Sequence, residues 1–186
     1  VFGTSFVFEK KITHANLTIT AMGVYEARLN GRHVGQFVMA PGWTSYHKRL
    51  QYQKYDITDL LTNGKNEIEV TVGKGWYRSP LPGWLGCAYQ DELRSRPCGL
   101  AAQITLTFED GSSKILSTDE SWKVSDGPVR FSEIYDGEIY DSAKTPLLDQ
   151  PVTIFDGPTD TLILQQGEEV CEQERLAVKK VFVTPN

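Results

Sequence analysis

The sequence predicts an all-β protein, an antiparallel β-sandwich of the jelly-roll type. Two observations carry this. Apolar residues recur at alternate positions in about eight or more short runs, the period of a strand with one face buried, and turn signals separate the runs every 8 to 12 residues or so. Helical periodicity is almost absent.

Taken in order, "NLTITAMGVYEARLNG" (16–31) alternates through Leu17, Ile19 and Ala21, breaks at Gly23, and resumes through Tyr25, Ala27 and Leu29. It ends in Asn30-Gly31, whose tolerance of positive φ suits a tight hairpin. "RLQYQKYDI" sets Leu50, Tyr52 and Lys54 on one side and Gln51, Gln53 and Tyr55 on the other, an imperfect alternation. "DITDLLTNG" offers the one plausible helical turn, capped by Thr58 and stopped at Gly64. "KNEIEVTVG" is cleaner: Ile68, Val70 and Val72 face one way, Glu67, Glu69 and Thr71 the other. "AAQITLTFEDGSSKILSTDESWKV" reads as a strand, a turn at Asp110-Gly111, a second strand, and a short third around Trp122, a residue expected in the core. In "SEIYDGEIYDS" the turn signal Asp136-Gly137, flanked by Ile-Tyr pairs, predicts a two-stranded ribbon.

Composition limits the function. The chain has 186 residues, 40% of them hydrophobic and 23% charged, enough for one good-sized core. A formal net charge of -5 argues against nucleic acid or an anionic membrane as the main partner. No run approaches the roughly 20 apolar residues that span a bilayer, and the opening "VFGTSFVFEKKI" lacks a charged leader, so mature or excised sequence is expected. Cys87, Cys98 and Cys171 cannot all pair within the chain. Cys87 and Cys98 could bridge a loop, although reduced thiols are the default reading. His14, His33 and His47 show no paired metal spacing, and no phosphate-binding GxxxxGK[ST] loop occurs. After residue 145 the pattern changes: Pro146, Pro151, Pro158 and Pro185 punctuate short strand-like pieces. One domain over 1–145 is expected, with 146–186 as a linker and the first strands of a following domain.

Four segments, in this order and spacing, carry a resemblance: "AMGVYEARLNGRHVG", "APGWTSYHKRLQYQKYDITDLL", "NEIEVTVGKGWYR" and "SEIYDGEIYDS". Together they resemble the N-terminal β-sandwich module of bacterial α-L-rhamnosidases, glycoside hydrolase family 78, over roughly residues 1 to 145. The resemblance implies a galactose-binding-domain-like sandwich within an enzyme that removes terminal L-rhamnose by inversion. It also implies that the hydrolytic carboxylates sit on a separate (α/α)6 barrel, absent from this chain, so no catalytic residue carries over. The implied role is a non-catalytic accessory module that supports recognition of rhamnose-containing glycans or packs against the catalytic barrel and other β domains of the parent. A purely structural scaffold is the alternative, and a self-sufficient glycosidase the remote one. A bacterial periplasmic or secreted location is expected ahead of a cytoplasmic one.

"GKGWYRSPLPGWLGCAYQ" (73–90) concentrates aromatic residues among glycines and prolines. Loops at the end of a sandwich display ligand groups on a rigid support. Trp76, Tyr77, Trp84 and Tyr89 could stack on the C–H face of a sugar, with Arg78, Gln90, Asp91 and Glu92 meeting its hydroxyls. Equally, they could plug the open end of the sandwich or seal a domain interface. The same two readings apply to Trp43 and Tyr46 in "APGWTSYHKR". Some related modules bind L-rhamnose with calcium; here the second loop offers Ser45 but no Asp or Asn, and "QDE" (90–92) is a thin acidic cluster, so no metal ligands are assigned. Glu133, Asp136, Glu138 and Asp141 supply carboxylates in number, but in a turn and ribbon they read as solvent dressing, with Glu138 or Tyr140 contacting a neighbouring domain.

Overall fold

The alternating runs become strands. The computed structural model describes residues 1–79 and 95–183, and among these the strands are β1 (Phe2–Phe8), β2 (Ile12–Met22), β3 (Val24–Leu29), β4 (Arg32–His33), β5 (Leu50–Asp56), β6 (Gly64–Gly73), β7 (Gly99–Phe108), β8 (Ser113–Ser117), β9 (Lys123–Val124), β10 (Val129–Glu133), β11 (Gly137–Tyr140), β12 (Gln150–Pro151) and β13 (Leu162–Leu164). One sheet runs β12-β9-β1-β6-β3-β4 and the other β13-β5-β2-β7-β8. Strands pair antiparallel except β13, which runs parallel to β5. β10 and β11 form a separate two-stranded ribbon, as the Asp136-Gly137 signal predicts.

Alternation decides which side chains meet between the sheets. Leu17 and Ile19 of β2 and Ile104 and Leu106 of β7 point inward from one sheet, and Leu29, Ile68 and Val70 from the other. Each such side chain contributes roughly 1.5–3 kcal/mol when fully buried. Trp122 joins this core, 5% exposed, with its indole N–H donating to the Ser117 carbonyl at 3.3 Å. The imperfect alternation of β5 has a physical cause. Gln53 is buried on the inward side because its amide is satisfied: Tyr25 donates to Oε1 at 2.7 Å, and Nε2 donates to the Pro41 carbonyl at 3.4 Å. Burial pushes the Tyr25 hydroxyl well above the usual phenol range, with the neighbouring Tyr55 adding to the shift.

The turns follow their dipeptides. Asn30 and Gly31 adopt φ of 53° and 76°, and Gly111 and Gly137 are also left-handed. In "DITDLLTNG" Thr58 does not cap the turn, contrary to the sequence expectation. The helical turn is a 3-10 turn over Thr58–Leu60, and Asp56 Oδ1 supports it by accepting from the Thr58 backbone N–H at 2.9 Å. Thr58 Oγ1 instead accepts from the Ala15 backbone N–H at 2.9 Å and so ties the turn to β2.

The segment 146–186, expected as a linker and the first strands of a following domain, supplies a strand to each of the two sheets. β12 pairs with β9, β13 pairs with β5, and the Val38 N–H donates to the Val170 carbonyl at 2.8 Å. Cys98 and Cys171 are free thiols, and Cys87 lies outside the described residues.

Candidate functional site

β6 ends at Gly73, and the chain turns at once into a single helical turn, α1 (Gly75–Arg78). Gly75 has φ of 54°, and a Cβ there would lie 2.5 Å from Val24 Cγ1, so the tight approach of α1 to β3 requires glycine. α1 thereby places Trp76, Tyr77 and Arg78 beside the 41–49 loop, which carries Trp43 and Tyr46.

The four aromatics form two layers. Tyr46 and Tyr77, each 8% exposed, meet edge to face with ring centroids 5.2 Å apart, and they pack with Met22 and Leu50 in a second small core that Leu162 flanks. Their hydroxyls are used: Tyr46 donates to the Gly42 carbonyl at 3.2 Å and Tyr77 to Met22 Sδ at 3.3 Å. Both rings are thus buried rather than displayed to solvent. Trp43 and Trp76 form the outer layer, stacked at 6.0 Å with 6° between their planes. Trp76 is partly buried, whereas Trp43 is 57% exposed. Arg78 is partly buried on the same turn. Arg96, which sequence reasoning passed over, lies with its guanidinium 5.4 Å from the Tyr77 ring centroid and hydrogen-bonds His47 Nε2 at 3.0 Å. Trp84, Tyr89 and Asp91, with Gln90 and Glu92, lie outside the described residues.

Glu138 and Tyr140 sit apart from this cluster, on β11, where all four residues are exposed. Lys74 connects the two regions. It immediately precedes α1, donates from Nζ to Glu133 Oε1 at the end of β10, and lies 4.9 Å from the Phe131 ring centroid. The Glu133 side chain is 7% exposed, and its Oε2 is buried without a hydrogen-bond partner among the described residues. No sequence signal marks this pair, whose members are 59 residues apart. Lys74 also lines a cleft of about 600 Å³ between β3, β6 and the ribbon, together with Glu26, Met39, Arg130, Phe131 and Glu138.

Of the four acids in "SEIYDGEIYDS", Glu133 is committed to Lys74, while Asp136, Glu138 and Asp141 are exposed. This is the arrangement of ribbon and turn dressing. Among the described residues, no group of three or more His, Cys, Asp or Glu side chains gathers where it could hold a metal ion.

Comparison with known proteins agrees with this architecture. The profile described as the α-L-rhamnosidase N-terminal domain matches residues 10–174. An α-L-rhamnosidase of Streptomyces avermitilis is 40% identical over 135 residues, which is 73% of this chain and 13% of that protein. Another, of Formosa agariphila, is 31% identical over 184 residues, 97% of this chain and 19% of its own length. Among solved structures, the native α-L-rhamnosidase of Aspergillus terreus superposes with a TM-score of 0.77 at 38% identity, covering 88% of this chain and 20% of that one. An α-L-rhamnosidase of Dictyoglumus thermophilum gives 0.75 at 31% identity, covering 89% of this chain and 18% of that one. The chain therefore spans less than a fifth of the length of these curated relatives. With its sandwich, its motif order and the extent of these matches in agreement, the chain belongs to the α-L-rhamnosidase N-terminal domain family.

Proposed function

We propose that this domain is a non-catalytic accessory module of an α-L-rhamnosidase, and that its Trp43 and Trp76 ledge supports recognition of rhamnose-containing glycans. Hydrolysis then belongs to a separate part of the parent enzyme. One observation carries the reading: Trp43, more than half exposed, is held parallel to Trp76 over a buried tyrosine pair. A ring so supported loses little further freedom when a ligand settles on it. Its flat apolar surface suits the C–H face of a sugar, and rhamnose, with a methyl in place of a hydroxymethyl, presents more apolar surface than most hexoses.

Titration of the protein with L-rhamnose and rhamnosides, followed by tryptophan fluorescence, tests this. A saturable change that disappears in Trp43→Ala is expected. A flat response through millimolar sugar would favour the second reading, a scaffold, which the burial of Tyr46 and Tyr77 supports. Turnover of a chromogenic rhamnoside by this chain alone would overturn both.

A further inference from the structure

We propose that the β10–β11 ribbon is an interdomain arm, docking on an apolar surface with a basic rim that another domain of the same α-L-rhamnosidase polypeptide provides. The inference rests on the accessory-module reading but not on sugar binding by the tryptophan ledge.

The ribbon joins neither sheet, and a two-stranded ribbon by itself is marginally stable in water. Here it is braced from one side. Glu133 is held by Lys74, Lys74 lies against Phe131, Arg130 pairs with Asp126 at 3.0 Å, and the Asp141 N–H donates to the Pro128 carbonyl at 2.8 Å. Beyond these braces, apolar side chains stay exposed on both faces of the ribbon, Ile139 on the face of its cross-strand partner Phe131 and Tyr140 on the other. Tyr135, Ile139 and Tyr140 are 51%, 61% and 60% exposed, and Leu147 shortly after is 73% exposed. Exposed aromatic and aliphatic side chains on both faces of a braced projection are the composition of an arm that inserts between surfaces rather than of a solvent face.

Charge and chain length select the occupant. Asp136, Glu138 and Asp141 are exposed on and beside the ribbon, so a complementary surface carries lysine or arginine at its edge. The chain accounts for 20% or less of the length of its relatives, so surfaces of further domains are available within one polypeptide. An intramolecular partner at high effective concentration needs only a small patch of this kind.

The test compares Ile139→Asp/Tyr140→Asp in this chain and in the full-length parent. In this chain the double variant keeps its thermal midpoint, because both side chains are already exposed. In the parent, limited proteolysis releases the domain at least about tenfold faster than from the unsubstituted enzyme, the effect of losing interface anchors. Unchanged release from a parent variant whose isolated domain is folded would overturn the proposal. If the double variant fails to fold, amide hydrogen exchange on the unsubstituted proteins decides: residues 134–141 exchange slowly only in the parent, and equal exchange in both would defeat the arm. Self-association of this chain that Ile139→Asp dissolves would instead make the ribbon a homodimer surface, and the proposal would fall. Trp43→Ala changes the sugar titration and leaves domain release unaltered, so failure of one reading is distinguishable from failure of the other.

Discussion

Lys74 donates a hydrogen bond to Glu133 Oε1 where β6 ends, joining the strand that leads into the tryptophan ledge to the base of the projecting ribbon. Glu133 is nearly buried while Lys74 keeps about a third of its side chain in solvent. The pair is therefore asymmetric: removing the lysine strands a buried carboxylate, whereas removing both charges does not.

Lys74→Ala should lower stability by roughly 1–3 kcal/mol in urea unfolding, the cost of leaving a partly hydrated buried charge unpaired. Lys74→Met combined with Glu133→Leu should recover most of that loss. If the double variant is no more stable than Lys74→Ala, Glu133 contributes nothing through its charge.

The two layers of the aromatic cluster should respond differently. Tyr77→Ala removes a buried ring and should destabilise by roughly 3–5 kcal/mol, in line with other large aromatic truncations in cores. Trp43→Ala, at a position already 57% exposed, should cost about 1 kcal/mol or less while removing any sugar response. Denaturant unfolding of the two variants, with far-UV circular dichroism as the probe, checks the contrast.

Gly75→Ala should destabilise by about 1–3 kcal/mol, because alanine at φ of 54° is strained and its Cβ meets Val24 at 2.5 Å. Because α1 carries Trp76, the fluorescence emission maximum should shift as well. Gly31→Ala, with nothing within 4 Å of the added Cβ, separates the two contributions by retaining only the backbone penalty.

Acid should weaken the fold through specific carboxylates. Lys10 and the Ser112 hydroxyl hold Asp110 well below the usual carboxylate range, Ser121 lowers Asp119, and Arg130 lowers Asp126. A carboxylate depressed in the folded state contributes stability above its unfolded pKa, and that contribution is lost as pH falls toward the folded value. The thermal midpoint should be level from about pH 7 to 5 and decline below about 4. Asp110→Asn should flatten part of this decline, as thermal scans across the range would report.

The two-layer β architecture was legible because its determinants are local. Alternation at Leu17, Ile19, Ile68 and Val70 and the turn dipeptides Asn30-Gly31, Asp110-Gly111 and Asp136-Gly137 act within a few residues, and strand period and positive φ are properties of the backbone itself. Gln53 defied the pattern because a distant hydroxyl, that of Tyr25, satisfies its amide. Thr58 departs from the cap its sequence context suggests for a similar reason: its hydroxyl serves β2 through Ala15.

Sequence by itself thus determined the strands, most turns and the aromatic residues available for contact, since each depends on neighbours along the chain. Only tertiary structure decided which of those aromatics are buried and which are exposed. Tyr46 closes on Tyr77, Trp43 lies on Trp76, and Lys74 finds Glu133 because strand pairing brings remote loops to one end of the sandwich. Exposure is a property of that assembled surface, so aromatic residues of one loop divide into a buried foundation and an exposed face.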